Sequence, residues 1–158
     1  MTGPTGAGGG TMRPEDDPGW AAYARTVLRF DLPGTPSVNL ALPLSARELA
    51  VFRTAGLPGT FGLLTPENPR GRTATVEEND RRWASFRAGP AAGAVRVDGC
   101  DPGGGRCERG VALPWTLDAV RDLAIVWEQS AIYWYDGRMM WVVGALTSAA
   151  PWPLGGSR

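Results

Sequence analysis

The chain has 158 residues, enough for one domain with a real core. Its 16 acidic and 16 basic residues cancel, which argues against non-specific binding to duplex nucleic acid. There is no histidine and every basic residue is arginine, so a Ser-His-Asp or Cys-His pair, a Schiff-base lysine and a P-loop lysine are all excluded. The 22 glycines and 14 prolines, beside many alanines, read as GC-rich coding bias rather than function.

Residues 1–18 hold almost nothing to bury and read as a disordered arm; residues 147–158 read as a flexible tail. The globular domain is therefore expected over 19–146. Residues 20–24 read as a short helix. Residues 25–32 alternate as a strand, Pro33-Gly34-Thr35-Pro36 is a turn, and Val38, Leu40 and Leu42 form a return strand. Ser45-Ala46-Arg47-Glu48 is a capping box, flanked by Leu44 and Leu49 at staple positions, and Gly56 ends that helix. The apolar run of residues 60–65 is short enough for a buried strand. Thr75-Val76-Glu77-Glu78 is a second capping box, opening a helix to about Arg87.

Val95 and Val97 mark a strand whose return carries Val111 and Leu113, with a glycine-rich loop between. Thr116 caps a third helix, in which Leu117, Val120, Ala124 and Trp127 make the apolar stripe. Asp136-Gly137 reads as a two-residue hairpin turn between residues 131–135 and 138–143. That register sets Trp134 opposite Met139, Ile132 opposite Trp141 and Tyr133 opposite Met140, with both faces apolar. The order β-β-α-β-α-β-β-α-β-β predicts an α+β single domain with a mostly antiparallel or mixed sheet.

Cys100 and Cys107 are the only cysteines, too few for a structural zinc site. They flank one loop and could join across a hairpin if oxidised. With no signal peptide and no apolar run long enough to span a bilayer, reduced thiols and a cytoplasmic location are expected, with no membrane partner. Nothing in the sequence calls for a cofactor or a metal.

The polar residues sort by what local structure explains. Glu77, Glu78 and Asp80 suit a helix N-terminus, and Glu77–Arg81 and Glu78–Arg82 are favourable i,i+4 pairs. Asn79 interrupts the stripe of Val76, Trp83 and Phe86, so it is either a buried anchor to the Asn68 loop or a pocket-lining group. Asn68-Pro69 is a turn initiator or a ligand-binding loop at a strand end. Arg70 and Arg72 read as solvated loop charges or an anion clamp. Glu108 reads as an exposed hairpin carboxylate or an acid/base, and Gln129 as a helix C-terminal cap or a ligand group. Asp101-Pro102-Gly103-Gly104-Gly105 precedes no helix and makes a poor phosphate loop.

Thr65-Pro66-Glu67-Asn68-Pro69, then Glu78-Asn79 with Arg82, then Glu108 before a strand, then Gln129-Ser130-Ala131-Ile132-Tyr133-Trp134 follow one another in fixed order. In that order and spacing the chain resembles a bacterial family, domain of unknown function 3293, over roughly residues 20–145. Tyr23 and Thr26 are similar too. Pro66 and Glu67 stand where that family usually has alanine and an aromatic residue, and Arg109-Gly110 replaces a proline-serine. The resemblance implies no reaction and no ligand.

The leading expectation is a small domain that binds a polar or anionic small molecule, or a partner segment, at the end of the strand over residues 60–65. Thr65, Asn68, Asn79, Arg82, Glu108 and Gln129 would supply the hydrogen bonds. The rivals are a hydrolase or transferase using Glu108 or Glu78 with Arg82, and a purely structural or interaction domain.

Overall fold

The computed structural model describes residues 12–155. It is an α+β domain built on one eight-stranded sheet in the order β2-β1-β4-β5-β3-β6-β7-β8, in which every pairing is antiparallel. The strands are β1 (Val27–Phe30), β2 (Val38–Asn39), β3 (Phe61–Leu64), β4 (Val95–Cys100), β5 (Cys107–Leu113), β6 (Ala131–Tyr135), β7 (Met140–Gly144) and β8 (Trp152–Pro153). The α-helices are α1 (Ala46–Thr54), α2 (Val76–Ala88) and α3 (Leu117–Val126), with a 3-10 helix over Trp20–Arg25.

The helices start where their caps stand. Ser45 and Glu48 bond reciprocally at α1, and Gly56, at φ 79°, takes the left-handed conformation that ends it. At α2 only the threonine half of the expected box forms: Thr75 Oγ1 accepts from the Glu78 N–H at 3.1 Å. Thr116 caps α3 in the same way.

β3 lies near the middle of the sheet and is buried along its length. Its period-2 alternation sends Phe61 and Leu63 into one core with Val51 and Phe52 of α1, and Leu64 into a second core with Phe86 of α2 and Val120 of α3. Between them Gly62 lets α3 settle onto the sheet; a Cβ there would sit 2.6 Å from a Val120 methyl. β6 and β7 divide likewise, Tyr135 and Met140 on the α1 side and Ile132, Trp134 and Val143 on the other.

Three expectations need correction. The β6–β7 hairpin closes with Tyr135 opposite Met140 and Trp134 opposite Trp141, so its loop holds Asp136 to Met139 rather than a two-residue turn. The cause is Asp136, 5% exposed, which accepts the N–H groups of Arg138 and Met139 on Oδ1 and the indole N–H of Trp141 on Oδ2. The slip is by two residues, so each side chain keeps its expected face.

The ordered structure also reaches beyond 19–146. Met12 bridges Thr147 in parallel, Asp17 is buried, and the tail adds β8 beside β7 with Leu154 buried after it. The rest of the expected arm, residues 1–11, and residues 156–158 lie outside the described residues. Finally, Cys100 and Cys107, expected as thiols, face each other across β4–β5 and are joined by a disulfide. Among the described residues no helix is long and apolar enough to cross a membrane.

Candidate functional site

The chain leaves β3 at Leu64 and wraps the end of the sheet before α2 begins. Thr65 makes the first turn: its hydroxyl donates to the Arg109 carbonyl of β5 at 2.6 Å and accepts from the Glu67 N–H at 3.0 Å. Asn68 follows at φ 51°, a left-handed conformation that asparagine tolerates better than most residues. The turn is held by α2. Asn79, 9% exposed, accepts the Asn68 N–H on Oδ1 and donates from Nδ2 to Asn68 Oδ1, each at 3.0 Å. The Ala74 N–H also donates to Asn68 Oδ1, at 2.9 Å.

Those backbone donors settle which way each amide points. With its oxygen taken, Asn68 must present Nδ2 outward, and that group donates to Glu108 Oε2 of β5 at 2.5 Å. Gln129 is fixed by the same logic. Its Nε2 donates to the carbonyls of Glu67 and Trp127, both at 3.1 Å, and a flipped amide would set oxygen against oxygen. The cap expected of Gln129 is therefore made, since Trp127 is the C-cap of α3, and the same amide ties α3 to the Asn68 loop.

These side chains border a cavity of about 630 Å³ that opens at the end of the sheet. Thr65, Asn68, Asn79, Glu108 and Gln129 line it from one side; Asp17, Tyr23, Thr26 and Tyr133 line it from the other. Cys100 and Cys107 lie on its rim with the exposed loop that carries Arg106. Burial pushes the Glu108 carboxyl above the ordinary range, against the Asn68 hydrogen bond that lowers it, and the charges of Glu67 and Asp17 push it up further. Burial likewise raises the Tyr23 and Tyr133 phenols, so both stay protonated.

Arg82 does not belong to the lining. Its guanidinium donates to the carbonyls of Pro66 at 2.5 Å and Trp127 at 2.6 Å and lies over the Trp127 ring. It is a strut between two loops, and the i,i+4 pair expected with Glu78 is absent among the described residues. Arg70, the other candidate for an anion clamp, pairs with Glu128 at 3.4 Å.

Asp17, Tyr133, Glu67 and Arg109 also line the cavity and were not among the sequence candidates. Asp17 fell inside the expected arm, yet it is 4% exposed, accepting the Gly19 N–H at 2.8 Å and the Tyr23 hydroxyl at 3.2 Å. Its only local signal was the turn-like Asp-Pro-Gly. Tyr133 read as strand packing; its hydroxyl lies 2.7 Å from Thr26 Oγ1. Glu67 and Arg109 are bonded to each other: Glu67 Oε2 accepts the Arg109 N–H at 2.9 Å and its Nε–H at 2.6 Å. Arg109 reaches on to Asp80 at 2.9 Å.

Set against family models, curated proteins and solved structures, the chain matches none.

Proposed function

We propose that this domain binds a small polar molecule in the cavity at the end of β3. One observation carries the reading: Asn68 and Gln129 are each locked by bonds to main-chain groups, so Glu108 and the free end of Gln129 border an open space in fixed orientations. Groups held this way lose little freedom on binding, and a volume of this size suits a small ligand better than a chain segment. The likeness to domain of unknown function 3293 belongs to the same proposal, because Thr65, Asn68, Asn79, Glu108 and Gln129, which carry it, meet here.

A second reading draws on the raised Glu108 pKa, which suits an acid or base in a hydrolase or transferase. It loses its charge-stabilising partner, since Arg82 is committed to carbonyls outside the cavity. A cytoplasmic location is part of the proposal, although the Cys100–Cys107 disulfide is unusual for that compartment.

A fragment screen read by ¹H–¹⁵N spectra tests the binding reading. Hits are expected to move the side-chain amide signals of Asn68, Asn79 and Gln129 together. Hits that move only signals remote from the cavity would remove its basis.

A further inference from the structure

Two acceptors that border the cavity lack a protein donor among the described residues. Gln129 is 6% exposed, and its Nε2 is spent on two carbonyls. Its Oε1 accepts nothing among the described residues, so an acceptor on a mostly buried side chain is left open to the cavity. Glu108 is in the same position: Oε2 takes the Asn68 amide, and Oε1 takes none.

Four of the hydroxyls that line the cavity are already committed. Tyr23 gives its proton to Asp17, Thr65 to the Arg109 carbonyl, Thr26 to the Ala22 carbonyl, and Tyr133 lies against Thr26 Oγ1 and the Tyr23 carbonyl. Charge leans the same way. Asp17, Glu67, Asp101 and Glu108 line the cavity against Arg106, which is exposed, and Arg109, which is paired with Glu67 and Asp80.

Resting on the binding reading above, we infer that the cavity takes an organic ammonium ion, whose N–H groups donate to Gln129 Oε1 and Glu108 and whose organic body lies along Tyr23 and Tyr133. Aromatic rings beside a carboxylate suit a cation, because the ring quadrupole and the charge attract it together. An anion in the same place meets unpaired acceptors and like charge. A cation in this place departs from the polar or anionic small molecule, or partner segment, expected from the sequence.

The charge of Glu108 also gives binding a pH dependence. Glu67 and Asp17 face it and raise its pKa, Arg106 and the Asn68 amide lower it, burial raises it most, and the neighbouring phenols are neutral. The ammonium binds the ionised carboxylate, so affinity rises with pH through the Glu108 pKa.

The test uses three probes of one shape: 2-phenylethylamine, 2-phenylethanol and phenylacetate, titrated into the ¹⁵N-labelled chain. The amine is expected to move the Gln129 side-chain amide and to bind about tenfold or more tighter than the alcohol, the usual worth of a charged hydrogen bond, with phenylacetate weakest. Glu108→Gln should close the gap between amine and alcohol. In the wild type, amine affinity should climb as pH rises above the ordinary glutamate range and through the raised Glu108 pKa, which needs no variant. An alcohol or carboxylate that moves the cavity signals as well as the amine overturns the ammonium inference and leaves the binding reading standing. A pH-independent amine affinity also overturns it. Silence of the cavity signals toward all three probes counts against both.

Discussion

Asn68 shows how much a single side chain can organise. Its amide joins β5, the start of α2 and its own loop, through Glu108, Asn79 and the Ala74 N–H. The sequence marked it as a turn initiator beside an asparagine on an apolar face, and buried amides must find partners, so the pairing with Asn79 was legible. The burial of Glu108 was not, because a carboxylate eight residues after Cys100 looks exposed until the arm folds over it. Glu67 and Arg109 make a related point: two residues 42 positions apart form one partly buried ion pair, visible only once β5 lies beside the loop. Glu108 also carries a stability prediction. Its folded pKa is raised above its unfolded value, so the folded state holds the extra proton between the two. Stability due to this group therefore falls as pH climbs from about 4.3, the ordinary glutamate value, through the folded pKa. Chemical denaturation of Glu108→Gln, which keeps an acceptor for Asn68, should show that loss removed, so the variant gains on the wild type from pH 4 to pH 8. An unchanged difference across that range would mean that the carboxyl is solvated.

At the scale of elements, the signals that worked were local and obligatory. Ser45, Thr75 and Thr116 each sit at an N-cap because helix starts leave N–H groups that need acceptors. The continuous apolar run of β3 marked it as a buried strand, since both of its faces need cover. The hairpin register failed because Asp-Gly is a good two-residue turn in isolation, and tertiary bonding outweighed it. Asp136 has a better arrangement available with Trp141 across a four-residue loop. Asp136→Ala leaves two backbone N–H groups and the indole without their acceptor, at a cost of roughly 1–3 kcal/mol, measurable by urea denaturation. A change below a few tenths would show that water replaces the carboxylate without loss.

For the molecule as a whole, the α+β class and the order of the elements followed from periodicity and caps, while the edges of the domain did not. The arm is polar and the tail rich in proline, so composition hid Asp17, Trp152 and Leu154, whose cover comes from distant parts of the chain. Asp17, at the end of that arm, lines the cavity beside Tyr23 and adds to its acidic lining. The central claim is that this cavity is a binding site whose open acceptors await a donor. A crystallographic fragment screen tests it most directly. Density is predicted in the cavity for amine-bearing fragments, with a nitrogen in hydrogen-bonding reach of Gln129 Oε1 and Glu108. Fragments that bind elsewhere and leave the cavity to solvent would contradict it.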